Sequence, residues 1–274
     1  MLRISFSSAV RFALIPILTS TLLVGCSNSS RVRYDSPQEA YTKGMEAYEN
    51  ERYRTAGEYF QGVFDFGRTH EWAAESQLFL ARSYRGDRQY LLAANEFGRF
   101  IQIYRSDDRV PEAEFELALT YLDRSPAYDL DQDPTEDAIQ KFRLFISRNP
   151  NHQLVPEAQK RILELREKLA QKMFTVGMQY ERRGLFRAAA ISYESVFDNY
   201  YDSDVADDAL LGALRSYYAY SQESVFGAQA ERLQKAEDNY DRLLQIFPQS
   251  PVLKDAELVY EDVQRALAVF TEES

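Results

Sequence analysis

A single cysteine, Cys26, is the residue in this chain whose type and position indicate covalent chemistry. It follows a basic start, MLRISFSSAVR, and a mostly apolar run, FALIPILTSTLLVG, that ends at Gly25. The run is short and interrupted by Pro16, so it cannot span a membrane as a mature helix. A basic start, a short apolar run and small residues before a cleavage point are typical of a secretory signal, which predicts removal of residues 1–25. The LVGC pattern beginning at Leu23 further predicts diacylation of the thiol and acylation of the new amino group.

A plain signal peptide followed by an accidental free cysteine is the alternative interpretation of this segment. The position of Cys26, where lipid attachment requires it, favours acylation. Several acyl chains, at about 0.8 kcal/mol for each buried CH₂, give a durable membrane anchor. Ser27, rather than Asp, follows the cysteine, which is similar to the signal that directs enteric lipoproteins to the outer membrane. Residues 26–35 are predicted to form the lipidated end and a flexible tether, reaching roughly 30 Å when extended.

The charge of the chain limits the partners that it can bind. The formal net charge is -11 at pH 7, and removal of residues 1–25 takes away two arginines and no acid. A strongly acidic protein is a poor candidate for binding nucleic acid or anionic lipid. We therefore predict membrane contact through the lipid anchor and no nucleic-acid partner.

Other motifs that could support catalysis or metal binding are weak. The two histidines, His70 and His152, lie far apart, and neither has a second ligand at helical spacing. DLDQDPTED, from Asp129 to Asp137, begins like a calcium loop, but proline stands where the loop needs glycine and Gln140 where it needs a bidentate acid. A solvated acidic loop is the simpler interpretation. The sequence predicts no catalytic residue, metal or cofactor, and a protein that is not an enzyme.

The rest of the chain, from Ser36 onward, has the apolar spacing of α-helices. Ser36 followed by Pro37 and Glu39 predicts a capped helix start, the Asp133–Glu136 segment repeats that arrangement, and the SP dipeptide at 250–251 predicts the start of a last helix. The stretch 155–184 has one internal breaker, a glycine, and is predicted to be one long helix that divides the chain into halves.

A small residue followed four positions later by an aromatic recurs along these helices. The five occurrences are Ala56 and Phe60, Ala93 and Phe97, Ala138 and Phe142, Ala189 and Tyr193, and Ala236 and Tyr240. This spacing is the tetratricopeptide pattern, in which the small residue lets two helices approach and the aromatic fills the gap to the next repeat. An all-α superhelix of five helical hairpins plus a C-terminal helix is therefore predicted, with halves at 36–150 and 151–274. The alternative is a generic helical bundle, which would not require a common phase.

In such arrays the first helix of each repeat lines the concave face. Registering the repeats on Gly44, Ala81 and Ala118 predicts a groove lined by Tyr41, Met45, Tyr48, Leu78, Arg82, Arg85, Phe115 and Leu119. An apolar, aromatic groove bordered by two arginines suits an extended peptide with an aromatic end and a free carboxylate. The alternative is that these residues pack against neighbouring helices.

Segments in a fixed order connect the chain to a known family. The lipid-attachment motif and a polar tether precede SPQEAYTKGMEAYENERYRTAGEYFQGV, GDRQYLLAANEFGRFIQIY, DLDQDPTEDAIQKFRLFISRNPN, AQKRILELREKLAQ and RRGLFRAAAISYESVFDNYYDS. Together they resemble the BamD family, lipoproteins of the β-barrel assembly (BAM) machinery. The resemblance implies a five-repeat scaffold at the periplasmic face of the outer membrane. It also implies that N-terminal repeats receive the C-terminal signal of unfolded outer membrane proteins and that C-terminal repeats dock the periplasmic domains of BamA.

One position departs from the family pattern. Family members commonly carry an arginine just before the aromatic of the fourth repeat, where this chain has Ser192. Arg182, Arg183 and Arg187 lie nearby and are the predicted docking residues for BamA. A periplasmic tetratricopeptide lipoprotein that positions cell-wall enzymes is the alternative of similar class.

Overall fold

The structure is a computed structural model that describes residues 32–272. This part of the chain forms α-helices and one short 3₁₀ helix, Phe64–Phe66, and no β-strand. The α-helices are α1 Pro37–Glu49, α2 Tyr53–Val63, α3 Ala73–Gly86, α4 Tyr90–Ile103, α5 Val110–Leu122, α6 Asp133–Arg148, α7 Val155–Arg182, α8 Phe186–Tyr200, α9 Ala206–Gln222, α10 Phe226–Ile246 and α11 Leu253–Glu272. None of these helices has the length and apolarity needed to cross a membrane.

The helices pair in chain order, and each pair stacks on the next. The pairs are α1 with α2, α3 with α4, α5 with α6, α7 with α8, and α9 with α10, and the second helix of each pair also packs on the first helix of the next. α11 packs on both α9 and α10, as the first helix of another repeat would. The predicted all-α array of five hairpins plus a C-terminal helix is confirmed. Such an array is stabilised chiefly by contacts between neighbours.

The small and aromatic positions of the repeats form the centres of the core. All five alanines are fully buried, and of the aromatics Phe60, Phe97 and Phe142 are 0% exposed, Tyr193 1% and Tyr240 8%. Some positions at the contact between paired helices have no room for a Cβ atom and therefore require glycine. A Cβ atom on Gly44 of α1 would lie 2.8 Å from the Phe60 ring of α2. The aromatic ring therefore packs directly on the backbone of the preceding helix.

α7 is one long helix, as predicted, and it serves two cores. Its first half contributes Ala158, Leu165 and Leu169 to the cluster that contains Phe142 of the third repeat. Its second half contributes Ala170, with Met173 and Phe174 beside it, to the cluster around Tyr193 of the fourth repeat. A helix of 28 residues is about 42 Å long. The segment predicted to begin the C-terminal half thus also completes the core of the third repeat.

The helix starts differ from prediction in detail. Ser36 caps α1 by accepting from the Glu39 backbone N–H at 3.1 Å, but the Glu39 carboxylate accepts from Asp35 N at 2.8 Å, one residue before the cap. α6 begins at Asp133 with Gln132 in the cap position, so Asp133 is not the cap. Gln132 is buried, and its amide donates to two carbonyls of the preceding loop, which ties that loop to the helix start. The last helix begins at Leu253, after a turn at the SP dipeptide.

Candidate functional site

A polar pocket of about 280 Å³ opens where α1, α3 and α5 meet. Its walls come from the first helices of three successive repeats and from the start of α2. The lining residues are Tyr48, Tyr53, Arg82, Arg85, Gly86, Glu116 and Asp123. The pocket therefore brings together three residues of the predicted groove, Tyr48 and the two arginines.

Arg82 crosses from α3 to α5 and binds two carboxylates there. Its Nε donates to both oxygens of Glu116 at 2.9 and 3.0 Å, and its Nη2 donates to Glu112 at 3.0 Å and also to Glu116. The guanidinium lies 5.1 Å from the centre of the Phe79 ring. The side chains of Arg82 and Glu116 are 20% and 14% exposed, so this pair is better shielded from water than an ordinary surface pair.

Arg85 makes the corresponding contact one turn later. Its Nε and Nη2 donate to the two oxygens of Asp123, at 2.5 and 3.4 Å, and both side chains are 28% exposed. Together with the Arg82 cluster, the pocket holds two guanidinium groups against three carboxylates, Glu112, Glu116 and Asp123. The arginines are thus already neutralised by their own chain. A carboxylate ligand must therefore compete with these acids for the guanidinium groups.

The aromatic wall of the pocket is fixed by close packing. The Tyr48 ring stands edge-on to Tyr53 at 5.5 Å and to Phe79 at 5.1 Å between ring centres. A Cβ atom on Gly86 would lie 2.6 Å from the Tyr53 ring, so Tyr53 can pack against α3 only because position 86 is glycine. The Tyr48 hydroxyl is protonated at neutral pH, and burial raises its pKa further above that range. The wall offers ring edges and a hydroxyl donor to a ligand.

Two other predicted groove residues, Leu78 and Phe115, are buried, so their assignment to the lining is wrong. Tyr41, Met45 and Leu119 are half-buried, and their place in the groove stays a prediction. Leu78 is 1% exposed because it lies one turn before Arg82, where α4 and α5 both cover α3. Phe115 is 7% exposed and packs against Phe142 and Phe145, and Leu119 packs on the same cluster. Tyr41 and Met45 pack on the core of the first repeat.

Tyr41 lies two turns before Tyr48 on the same face of α1, and its ring is 4.8 Å from that of Trp72. Burial, together with a hydrogen bond to Glu75, raises the pKa of Tyr41 to about 12. The Tyr41 hydroxyl is therefore already hydrogen-bonded within the chain.

Sequence reasoning missed the acidic half of the pocket. Glu116 follows Arg82 by 34 positions, which is the ideal tetratricopeptide repeat length. Opposite charges one repeat apart on first helices are a signal that could have revealed the pair. Tyr53 and Gly86 carry no comparable signal, because their contact depends on how two hairpins stack.

The predicted docking arginines surround the turn between α7 and α8. Arg182 ends α7, Gly184 forms the turn with φ +70°, and Arg187 lies in the first turn of α8. Arg182, Arg183 and Arg187 are all exposed. Within residues 32–272 none of them forms an ion pair with a carboxylate, in contrast to Arg82 and Arg85. This turn therefore presents uncompensated positive charge on an otherwise acidic protein.

Comparison with known proteins places this geometry in a family. The profile of the YfiO family, described as outer membrane lipoprotein, matches residues 33–233. The chain belongs to the YfiO family. Relatives named outer membrane protein assembly factor BamD include one from Caulobacter vibrioides, 24% identical over 222 residues that cover 79% of this chain and 72% of the relative. Another, from Vibrio cholerae, is 26% identical over 215 residues, 73% of this chain and 88% of the relative.

A third relative of the same name, from Neisseria meningitidis serogroup B, is 23% identical over 229 residues, 80% of this chain and 82% of the relative. The resemblance of this YfiO-family chain to BamD is thereby confirmed. Among solved structures, a TPR repeats protein from Bacteroides fragilis is 14% identical with a TM-score of 0.49, covering 85% of this chain and all of that protein.

The remaining YfiO-family features can now be placed. Ser192 is half-buried on α8 and lines a second cavity, of about 380 Å³, between α6, α7, α8 and the loop before α6. Leu169, Met173 and Ile191 give this cavity an apolar wall, and Glu136 lies at its acidic side. The predicted lipidation site, Cys26, and residues 1–25 lie outside the described residues.

Proposed function

We propose that this chain is a lipid-anchored assembly factor for outer membrane proteins that faces the periplasm and acts as a scaffold without catalysis. The match of residues 33–233 to an outer membrane lipoprotein family carries the proposal. The names of the relatives, all outer membrane protein assembly factors, support the process in which it takes part. The anchor is the acylated Cys26, after removal of residues 1–25.

The proposed protein partner of the C-terminal half is the periplasmic part of BamA. Arg182, Arg183 and Arg187 support this assignment because they are exposed and have no carboxylate partner among the described residues. On a protein with a net charge of -11, such a site selects an acidic partner surface. Since Ser192 replaces the usual arginine, these three residues supply the positive charge of the contact.

The proposed ligand of the N-terminal pocket is the end of an unfolded outer membrane protein. Such a chain end offers an aromatic ring to Tyr48 and Tyr53 and a terminal carboxylate to Arg85. Arg85 is the more accessible of the two arginines, since Arg82 is held by two acids and Arg85 by Asp123 alone. Binding is then an exchange, in which the ligand carboxylate takes the place of Asp123 on the guanidinium.

Affinity purification of the acylated protein from detergent-solubilised outer membranes tests the proposed function. We expect BamA to co-purify with the wild-type chain, and to be reduced when Arg182, Arg183 and Arg187 are all replaced by Gln. Retention of secondary structure by the triple variant is the control. Co-purification of peptidoglycan synthases or hydrolases in place of BamA would support the alternative, a scaffold for cell-wall enzymes.

Asp123→Asn is expected to strengthen binding of a synthetic peptide that ends in an aromatic residue with a free carboxylate. The substitution removes the charge that competes for Arg85, so the gain should be about 1.5 to 3 kcal/mol, the scale of a hydrogen bond to a charged group. Arg85→Gln should weaken the same peptide by a similar amount. Calorimetry with the free and the amidated peptide measures both effects.

The matched control for this experiment is Asp87→Asn, which removes an acid that pairs with the largely exposed Arg54 rather than with Arg85. We expect no change in peptide affinity for this variant. Amidation should abolish the gain in Asp123→Asn. An equal gain for the amidated peptide would show that Arg85 does not bind the terminal carboxylate.

A further inference from the structure

The segment before α1 is attached to the first repeat at three consecutive residues. The Tyr34 hydroxyl donates to Asp65 at 2.7 Å, Asp35 N donates to Glu39 at 2.8 Å, and Lys43 Nζ donates to the Arg33 carbonyl at 2.9 Å. These contacts involve both α1 and the turn after α2. Residues 33–35, the last part of the predicted tether, therefore contact the first repeat.

The Tyr34 ring packs in a site formed by Tyr59, Gly62, Asp65 and Phe66, called the Tyr34 seat below, and position 62 of this site must be glycine. A Cβ atom on Gly62 of α2 would lie 2.2 Å from the ring, closer than any side chain tolerates. Tyr59 and Phe66 flank the ring edge-on, with ring centres 6.4 and 6.2 Å away. The seat is thus formed by a glycine floor, two aromatic walls and a hydrogen-bond acceptor, all from the C-terminal end of α2 and the 3₁₀ helix that follows.

We propose that the packing of Tyr34 in this site, called the clip below, attaches the base of the lipid anchor to the end of α2. The clip thereby holds the end of the first repeat near the membrane surface. The inference rests on the proposed acylation of Cys26. Seven residue steps separate Cys26 from Arg33, and they span at most roughly 25 Å. Without the clip the free segment would extend to Ser36, adding roughly 10 Å and moving the attachment point to the start of α1.

The position of the Tyr34 seat determines where the chain leaves the first repeat on its way to the anchor. The chain leaves the first repeat beside the C-terminal end of α2, where Phe66 is 44% exposed. The end of α2 is therefore the part of the first repeat from which the chain runs to the anchor. The clip shortens the segment between the lipid and the first repeat and moves its attachment point to this end of α2.

Two glycines of α2 provide a matched pair of variants. Gly62→Ala places a methyl group where the Tyr34 ring lies and should expel it. Gly57→Ala adds the same group to the same helix, but its Cβ meets its nearest neighbour, Ser83, at an ordinary 3.7 Å. Because alanine favours helix at both positions, the two variants differ in whether the clip can close. Tyr34→Ser removes the clip by deleting the ring while Gly62 stays unchanged.

The experiment uses the acylated full chain in phospholipid vesicles that carry a headgroup-linked energy acceptor. Cys26 is the single cysteine and its thiol is blocked by acylation, so Glu58→Cys on the exposed side of α2 gives one labelling site for a donor. Gln245→Cys on α10 reports the far end of the array. We expect strong transfer from position 58 and weak transfer from 245 in the wild type.

Gly62→Ala and Tyr34→Ser should each lower transfer from position 58 at least twofold and broaden its distance distribution, with Gly57→Ala unchanged. Hydrogen exchange at Asp35 should rise about tenfold in the same two variants. Unchanged transfer in both, with the protein still bound to vesicles, would overturn the clip. Failure of the wild-type protein to bind vesicles would instead contradict the lipid anchor of the proposed function.

Discussion

Tyr193→Ala is expected to lower the free energy of unfolding by about 3 to 5 kcal/mol, the usual cost of deleting a fully buried aromatic side chain. The ring is 1% exposed and lies between α7 and α9, each of which has a glycine facing it. Cβ atoms on Gly177 of α7 and Gly212 of α9 would each lie 2.7 Å from it. Because glycines line the ring on both sides, neither of these positions has a side chain that could fill the space that the ring leaves.

The hydroxyl of Tyr193 adds a smaller, separable contribution. It donates to Glu181 at 2.7 Å, and burial together with this hydrogen bond raises the pKa of Tyr193. Tyr193→Phe should therefore cost about 0.5 to 1.5 kcal/mol, the net value of one hydrogen bond. The comparison of the two variants separates the ring from its hydroxyl.

Urea denaturation followed by circular dichroism measures the change, with Tyr201→Ala as the control. Tyr201 is 63% exposed, so its removal should alter the free energy of unfolding by no more than about 0.5 kcal/mol. In Tyr193→Ala, hydrogen exchange should rise mainly in α7, α8 and α9, because repeats contact chiefly their neighbours. An equal rise in α1 to α4 would contradict an array of nearest-neighbour contacts.

Cys26→Ala is expected to abolish acylation and with it the lipid anchor. Without the thiol there is no diacyl group, and the precursor should keep residues 1–25. The variant lacks the acyl chains, each CH₂ of which contributes about 0.8 kcal/mol in the bilayer, and should be an uncleaved or mis-sorted precursor that only the apolar run of residues 12–25 can hold at a membrane. Metabolic labelling with a palmitate analogue, followed by fractionation of membranes, measures both effects.

Ser27→Ala is the control for the anchor experiment, since it changes the neighbouring residue and leaves the thiol in place. It should be labelled like the wild type. If Cys26→Ala were still labelled at the wild-type level, the acylated residue would be another one and the lipoprotein interpretation would fail.

The fold followed from the sequence because one signal repeats in a common phase. Ala56 with Phe60, and its four counterparts, are local in sequence and buried in every repeat, so periodicity alone located the core. The same reasoning placed α7 correctly as a single long helix. Patterns of this kind report which face of a helix is buried, and they do so without knowledge of its neighbours.

The pocket could be predicted only in part, because its lining depends on how hairpins stack. Arg82 and Leu78 share a face of α3, yet stacking of α4 and α5 buries the leucine and leaves the arginine at the pocket. Periodicity cannot distinguish two positions one turn apart. The seat of Tyr34 was hidden for a different reason, since the partner that makes it possible, Gly62, contributes no side chain.

The long helix α7 has a consequence for how the chain itself acquires structure. Leu165 and Leu169 complete the core of the third repeat, although they lie after the end of α6. A chain that emerges from a ribosome or a translocation pore begins at its N-terminus. The third hairpin therefore remains without part of its core until residue 169 has emerged. By then the helix that also begins the fourth repeat is half made, so the order of synthesis couples the two halves during biogenesis.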